Sequence, residues 1–195
     1  MRLSRPVAIA SALAFAIALP ACGSQGSAAG AATGTSSSGG SVAASAGPAG
    51  AAAVANLETA QGKAVGTATA MRMDGSIMLS LRVEGLPPGD HGVHVHAVGR
   101  CDDAAFAGAG GHWNPGAKEH GLDNPKGQHA GDMPNLSVGA DGRGMLRYHL
   151  KGGTLDELLD SDGAAMVIHQ GSDDQKSNPS GNSGDRIACG VFTRA

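Results

Sequence analysis

The chain is poor in cysteine, in basic residues and in long apolar runs. Its three cysteines are Cys22, Cys101 and Cys189. The one sustained apolar run, Val7 to Leu19, is too short to span a bilayer as a helix. No internal repeat is present. Apart from Arg2 and Arg5 at the N-terminus, 12 basic residues face 17 acidic ones, a balance of −5. That balance argues against nucleic acid as a partner.

The N-terminus has the form of an export signal. Arg2 and Arg5 precede the apolar run, which ends in Leu19-Pro20-Ala21-Cys22. Residues 1–22 therefore read as a secretory signal. A small residue before cysteine resembles a bacterial lipoprotein cleavage site, although Pro20 departs from the usual pattern. The expectation is lipid attachment at Cys22 and a membrane tether. Ordinary cleavage nearby, giving a soluble exported protein, is the alternative. Three cysteines in an exported protein leave one over. If Cys101 and Cys189 pair in an oxidising compartment, the one left over is Cys22. Gly23 in place of aspartate favours the outer membrane over the inner.

Residues 23–55 are almost wholly Gly, Ala, Ser and Thr, without charge or apolar periodicity. Such a segment cannot bury a core. It is expected to be a disordered tether with a reach of roughly 30 Å. Residues 56–195 suffice for one domain with its own core.

That domain reads as all-β. Thr67–Met73 and Ser76–Val83 flank Asp74-Gly75, a hairpin signal. Pro87-Pro88-Gly89-Asp90 reads as a turn before a strand at Gly92–Val98. Leu136–Val138 and Gly144–Leu150 flank Asp141-Gly142, a second hairpin signal. Ala164–His169 and Ile187–Phe192 are apolar runs of strand length, and Thr154–Leu159 suggests a short helix or turn. Short strands with Gly-rich turns point to an antiparallel sandwich or barrel. Gly99–Asn135 and Gln170–Arg186 lack strand pattern, and loops of that length are usually functional.

The histidines carry the chemistry. Seven of the eight fall in HGVHVH at 91–96, GHWNPGAKEH at 111–120, QHAGD at 128–132 and IH at 168–169. Alternate residues on a strand share a face. His94 and His96 therefore point together, while His91 has the parity of Val93 and Val95 and faces inward. His112, His120, His129 and Asp132 make a three-imidazole, one-carboxylate set of the kind that holds zinc. His169 ends a strand and can rejoin His94 and His96. The cluster contains imidazoles and one carboxylate but no thiolate, which suits copper and zinc.

Residues 60–194 resemble the copper/zinc superoxide dismutase family, in its exported bacterial form. The resemblance rests on HGVHVH, AGAGGHWNP, KEHG, HAGD, MVIHQGSDD and GNSGDRIACGV. It implies an eight-stranded Greek-key β-barrel or sandwich with two long functional loops. It further implies one copper ion on His94, His96, His112 and His169, and one zinc ion on His112, His120, His129 and Asp132. His112 would bridge the two. By the same resemblance Asp173 supports His94 and His120, His91 braces the copper region, and Arg186 lines the copper channel. Cys101–Cys189 would be the conserved bridge. The implied activity is disproportionation of superoxide through alternate reduction and reoxidation of the copper, with Arg186 and His112 as the catalytic residues. The alternative is a non-enzymatic copper/zinc-binding protein of the cell envelope on the same fold.

Several residues lie outside this pattern. Lys126 and Lys176, in the long loops, are candidate steering cations for the anionic substrate. His149 has no assigned role. Met71 and Met73 share a strand face, for which packing is preferred over copper delivery. The expected location is the bacterial periplasm, tethered to the envelope, and the sequence leaves a homodimer open.

Overall fold

A computed structural model describes residues 51–195. The expected signal segment 1–22, with Cys22, and residues 23–50 of the expected tether lie outside the described residues. The strands are β1 (Ala52–Glu58), β2 (Ala64–Met73), β3 (Ser76–Glu84), β4 (Gly89–His91), β5 (Val93–His96), β6 (Leu136–Val138), β7 (Arg143–Leu150), β8 (Ala165–His169), β9 (Arg186–Val191) and β10 (Thr193–Arg194). One short helix, α1 (Leu155–Leu158), lies between β7 and β8.

All strand neighbours are antiparallel, in the order β4-β6-β7-β3-β2-β1-β9-β8-β5, with β10 against β1. The two outermost strands, β4 and β5, are consecutive pieces of one segment interrupted at Gly92. The sheet therefore almost closes into a barrel. Taking β4 and β5 as one strand, and setting aside the two-residue β10, gives eight strands. The chain passes from β3 to β4 without pairing them, because β7 lies beside β3 instead. That crossing makes the barrel a Greek key.

Alternation builds the interior. Ile77, Leu79, Leu81 and Val83 of β3 point inward, with Leu57, Val93, Val95, Leu136, Leu150 and Ile168 from other strands. Inward positions of β1 and β2 are small: Ala53 pairs with Ala70 and Ala55 with Ala68, all fully buried. Helix α1 covers one end with Leu155 and Leu158. It starts in a capping box, with Glu157 N–H donating to Thr154 Oγ1 (3.3 Å) and Thr154 N–H to Glu157 Oε2 (2.8 Å).

The structure revises several sequence expectations. The boundary expected after residue 55 falls inside β1, which begins at Ala52. Its Ala-Ala-Val-Ala start follows an uncharged segment already rich in alanine, so its inward alanines leave no apolar contrast to read. The turn expected at Pro87–Asp90 gives way to strand pairing at Gly89 and Asp90, opposite Val138 and Ser137. The strand expected from Gly92 to Val98 is confined to Val93–His96. The other strands fall within a few residues of their expected bounds, the usual scatter of strand ends.

Candidate metal centre

Two histidines of the centre are placed by β5 and one by β8; the rest arrive on the loop between β5 and β6. That loop lies along β5 through a backbone ladder. Trp113 N–H donates to Val95 O (2.8 Å), Val95 N–H to Gly131 O (2.9 Å) and Gly131 N–H to Trp113 O (2.9 Å). His112 and Asp132 sit beside these anchors and so are brought against His96 and His94. The ladder requires glycine at 131, where a Cβ would stand 2.2 Å from Val95 O.

His94, His96, His112 and His169 form one group whose ligand-type nitrogens lie within 4.8 Å of one another. Each ring is held by its other nitrogen. His94 Nε2–H donates to Asp173 Oδ2 (2.6 Å), His96 Nδ1–H to Gly110 O (2.9 Å) and His169 Nδ1–H to Gly184 O (3.0 Å). His112 Nδ1 lies 2.8 Å from Asp132 Oδ1. The four remaining nitrogens, His94 Nδ1, His96 Nε2, His112 Nε2 and His169 Nε2, are buried and have no hydrogen-bond partner. An unsatisfied buried polar atom costs about 1–3 kcal/mol, so four together mark a place built for an electron-pair acceptor. Burial first, and neighbouring positive charge second, keep these rings neutral. His94 is pushed down to about 3, His96 to about 2 and His169 to about 4. Burial also lowers His112. Neutral imidazoles offer lone pairs at any ordinary pH.

The second group gathers around one oxygen. Asp132 Oδ1 lies 2.8 Å from His112 Nδ1, 3.1 Å from His120 Nδ1 and 3.2 Å from His129 Nδ1. His112 Nδ1 and His129 Nδ1 are 3.4 Å apart. A tetrahedral metal with bonds of about 2.0–2.1 Å sets its ligand atoms about 3.3–3.4 Å from each other, close to this spacing. His94 also comes within 4.8 Å of His112, His120 and Asp132. Its Nε2 is engaged by Asp173, however, whereas all three Nδ1 atoms converge on Asp132. Asp132 Oδ2 accepts from the Gly121 and His129 N–H groups (2.9 and 3.0 Å). Burial raises the Asp132 carboxyl, but the three imidazoles outweigh it and hold the group far below the usual carboxylate range. For His120 burial is again opposed, here by carboxylates at both ring nitrogens, and the ring is raised to about 9.

Asp173 joins the two groups from behind. Its Oδ2 accepts from His94 Nε2, and its Oδ1 lies 3.1 Å from His120 Nε2. Burial would raise this carboxyl, but those histidines and the Gln175 N–H hold it low. Gly181, at φ +64°, makes the room: a Cβ there would meet Asp173 Oδ1 at 1.7 Å. His91 stays outside both groups. Its ring nitrogens lie 2.8 Å from His169 O and 2.9 Å from Pro87 O.

Arg186, at the start of β9, donates from Nη1 to Phe106 O and from Nη2 to Gly110 O (2.7 Å). Gly110 O also accepts from His96, so one carbonyl separates the guanidinium from the first histidine group. Its positive charge is among the influences lowering His96 and His169. Cys101 and Cys189 form a disulfide with Cα atoms 5.7 Å apart. It ties the start of the long loop to β9. Lys126 is exposed and paired with Glu119 at 3.3 Å. His149 is exposed on β7.

Sequence reading missed the supports that are backbone or amide groups. Asn135 clamps Asp173 twice, accepting from Asp173 N–H (2.8 Å) and donating to Asp173 O (2.9 Å). Asn178 Oδ1 accepts from His120 N–H (2.7 Å). The Gly110 and Gly184 carbonyls orient His96 and His169. None carries a side-chain signal of metal chemistry.

The family model for copper/zinc superoxide dismutase matches residues 61–192. The chain belongs to the copper/zinc superoxide dismutase family. It is 42% identical over 146 residues to superoxide dismutase [Cu-Zn] 2 of Aquifex aeolicus, covering 71% of this chain and 84% of that one. Among solved structures, a SOD-like protein from Bacillus subtilis is similar at TM-score 0.66 and 42% identity, over 72% of this chain and 97% of that one. The Cu/Zn superoxide dismutase from Brucella abortus is similar at TM-score 0.61 and 31% identity, over 73% and 99%. The family implies copper and zinc, and the two donor groups suit them. Unpartnered imidazole nitrogens fit copper, and the mixed nitrogen–oxygen set fits zinc.

Proposed function

We propose that this protein disproportionates superoxide, converting two superoxide anions and two protons to dioxygen and hydrogen peroxide. The observation that carries the reading is the set of four buried, unpartnered imidazole nitrogens, one of them on His112, whose other ring nitrogen meets Asp132 in the second donor group. His94, His96, His112 and His169 would hold one copper ion; His112, His120, His129 and Asp132 would hold one zinc ion. Bound copper supplies a couple that takes and returns one electron, while zinc has no accessible redox change and supplies a fixed charge.

The chain's own residues account for the rest. Asp173, Gly110 and Gly184 fix the tautomers of His94, His96 and His169, so their lone pairs point into one space. His112 is anchored at Nδ1 among Asp132 and His129. Its Nε2 is therefore an atom at which the site can hold and give up a proton while the ring keeps its place. His91 steadies the His169 backbone through its carbonyl. Arg186 spends two donors on loop carbonyls and keeps others for a small anion. It sets a local cation against an overall charge that is negative, and at short range the nearby charge dominates. The two catalytic residues are thus Arg186 and His112.

For the whole protein we propose export to the bacterial periplasm and attachment to the envelope through a lipid on Cys22. The disulfide supports an oxidising compartment.

The rival reading is metal binding without turnover, which the SOD-like name of a 44%-identical Bacillus subtilis relative keeps in view. Superoxide decay separates the two. The copper/zinc-loaded protein is expected to accelerate decay, and the zinc-only and His169→Ala forms to lose nearly all of that acceleration. A loaded protein no faster than buffer would overturn the dismutase reading in favour of metal binding.

A further inference from the structure

Six methionines follow Met1 in the chain, and they divide sharply by position. Met133 and Met166 are fully buried. Met71, Met73, Met78 and Met145 all stand on the outward face of three adjacent strands, β2, β3 and β7. Met71, Met73 and Met145 are the exposed large hydrophobic residues among the described residues, at 49%, 44% and 56% exposure. The inward face of β3 and β7 is built from Ile77, Leu79, Leu81, Val83, Leu146 and Leu150, with no methionine. Packing alone gives no reason for sulfur on one face and branched hydrocarbon on the other.

The register places three donors in a line. Met71 pairs with Met78, and Met78 pairs with His149. Directly opposed residues on one sheet face have Cβ atoms about 4.5–5.5 Å apart, so two thioethers and an imidazole can converge above the middle strand. Met73 pairs with Ser76, which makes it the diagonal neighbour of Met78. A diagonal neighbour remains within reach of a long side chain. Met145 pairs with Arg82, four residues along β3 from Met78, and stands apart from the row.

We propose that Met71, Met78 and His149, with Met73 beside them, form a surface site for a soft monovalent cation, Cu(I). Thioether sulfur selects Cu(I) over hard divalent ions, and an imidazole completes a neutral set. Arg147, opposite Ser80 and two residues before His149, is a nearby fixed cation, and a monovalent ion meets half the repulsion of a divalent one. The row is separate from the histidines of the barrel's metal centre and does not depend on the dismutase reading. His149, which the family pattern leaves without a role, acquires one here.

The test uses the copper- and zinc-loaded protein, so that the interior donors are already engaged. Ag(I), a redox-inert stand-in for Cu(I), is titrated while methionine methyl resonances are followed. Bound silver is counted by equilibrium dialysis. One additional Ag(I) per chain is expected, with shifts at the Met71 and Met78 methyl groups. The double variant Met71→Leu/Met78→Leu should bind at least about tenfold more weakly, with its thermal midpoint near wild type because both side chains lie outside the core. His149→Ala should weaken binding too, and Met145→Leu should bind as wild type does. Cu(I) titrated against a chromophoric Cu(I) chelator should rank the variants in the same order. Absence of an extra equivalent, equal binding by the Leu double variant, or equal loss from Met145→Leu would overturn the site. Concentration-dependent dimerisation through this face without silver binding would likewise overturn it, in favour of a docking surface.

Discussion

Arg186 is held by two loop carbonyls within one residue's reach of His96, and its value lies in that fixed position. Superoxide is small and offers few contacts, so a local cation must do much of the recognition. Arg186→Ala should lower kcat/KM roughly tenfold, the low end of electrostatic steering, while copper content stays at wild type. Arg186→Lys should fall between, because lysine keeps the charge but loses the fork that binds both carbonyls. Stopped-flow rates at several ionic strengths check this; unchanged rates and an unchanged salt slope in the Ala variant would remove Arg186 from the mechanism. At this scale the donors were legible in the sequence because seven of the eight histidines cluster, with His94 and His96 two residues apart on a strand and His112, His120 and His129 following close behind. Their supports were less so. Asn135 and Asn178 act through ordinary amide contacts that only the fold brings together.

Among the elements, the loop between β5 and β6 carries the most. It delivers His112, His120, His129 and Asp132, and three things restrain it: the Trp113–Val95–Gly131 ladder, the Arg186 contacts and the Cys101–Cys189 bridge. Replacing both cysteines by serine is expected to cost about 2–5 kcal/mol, the usual price of losing a native bridge. Activity should fall more steeply than stability, since the freed segment contains both carbonyls that hold Arg186. Denaturant unfolding alongside activity checks both; full activity in the reduced protein would show that the bridge does not order the site. The hairpins at Asp74-Gly75 and Asp141-Gly142 could be read in advance because turn chemistry and alternation agreed there. Strand β1 could not, since Ala53 and Ala55 fill inward positions with a residue that is also abundant in residues 23–50. The short β4 was hidden by Pro87 and Pro88, which signal a turn that the chain leaves as early as Gly89.

For the molecule as a whole, the metal centre is charge-balanced only within a window of pH. In the metal-free protein His94, His96 and His169 titrate well below their ordinary 6.5, at about 3, 2 and 4. Between those values and 6.5 the unfolded chain binds more protons than the folded one, so stability falls as pH drops below 6.5. His120, raised to about 9, acts in the opposite sense: its contribution is complete below 6.5 and is lost as pH rises through about 9. The melting temperature of metal-free protein should therefore decline on both sides of neutrality, which a thermal scan from acid to mild alkali would show. A flat profile through the acid range would mean that the histidines are solvated. The proton held by His120 between Asp132 and Asp173 stands where a cation is wanted, so metal loading should expel it. These features meet in one claim, that His112 divides the donors between two metals. Anomalous scattering at the copper and zinc edges, from crystals of the loaded protein, tests it most directly. The account predicts copper beside His94 Nδ1 and the Nε2 atoms of His96, His112 and His169, and zinc among Asp132 and the Nδ1 atoms of His112, His120 and His129. Both metals in one group, or a His112 ring in contact with only one of them, would contradict it.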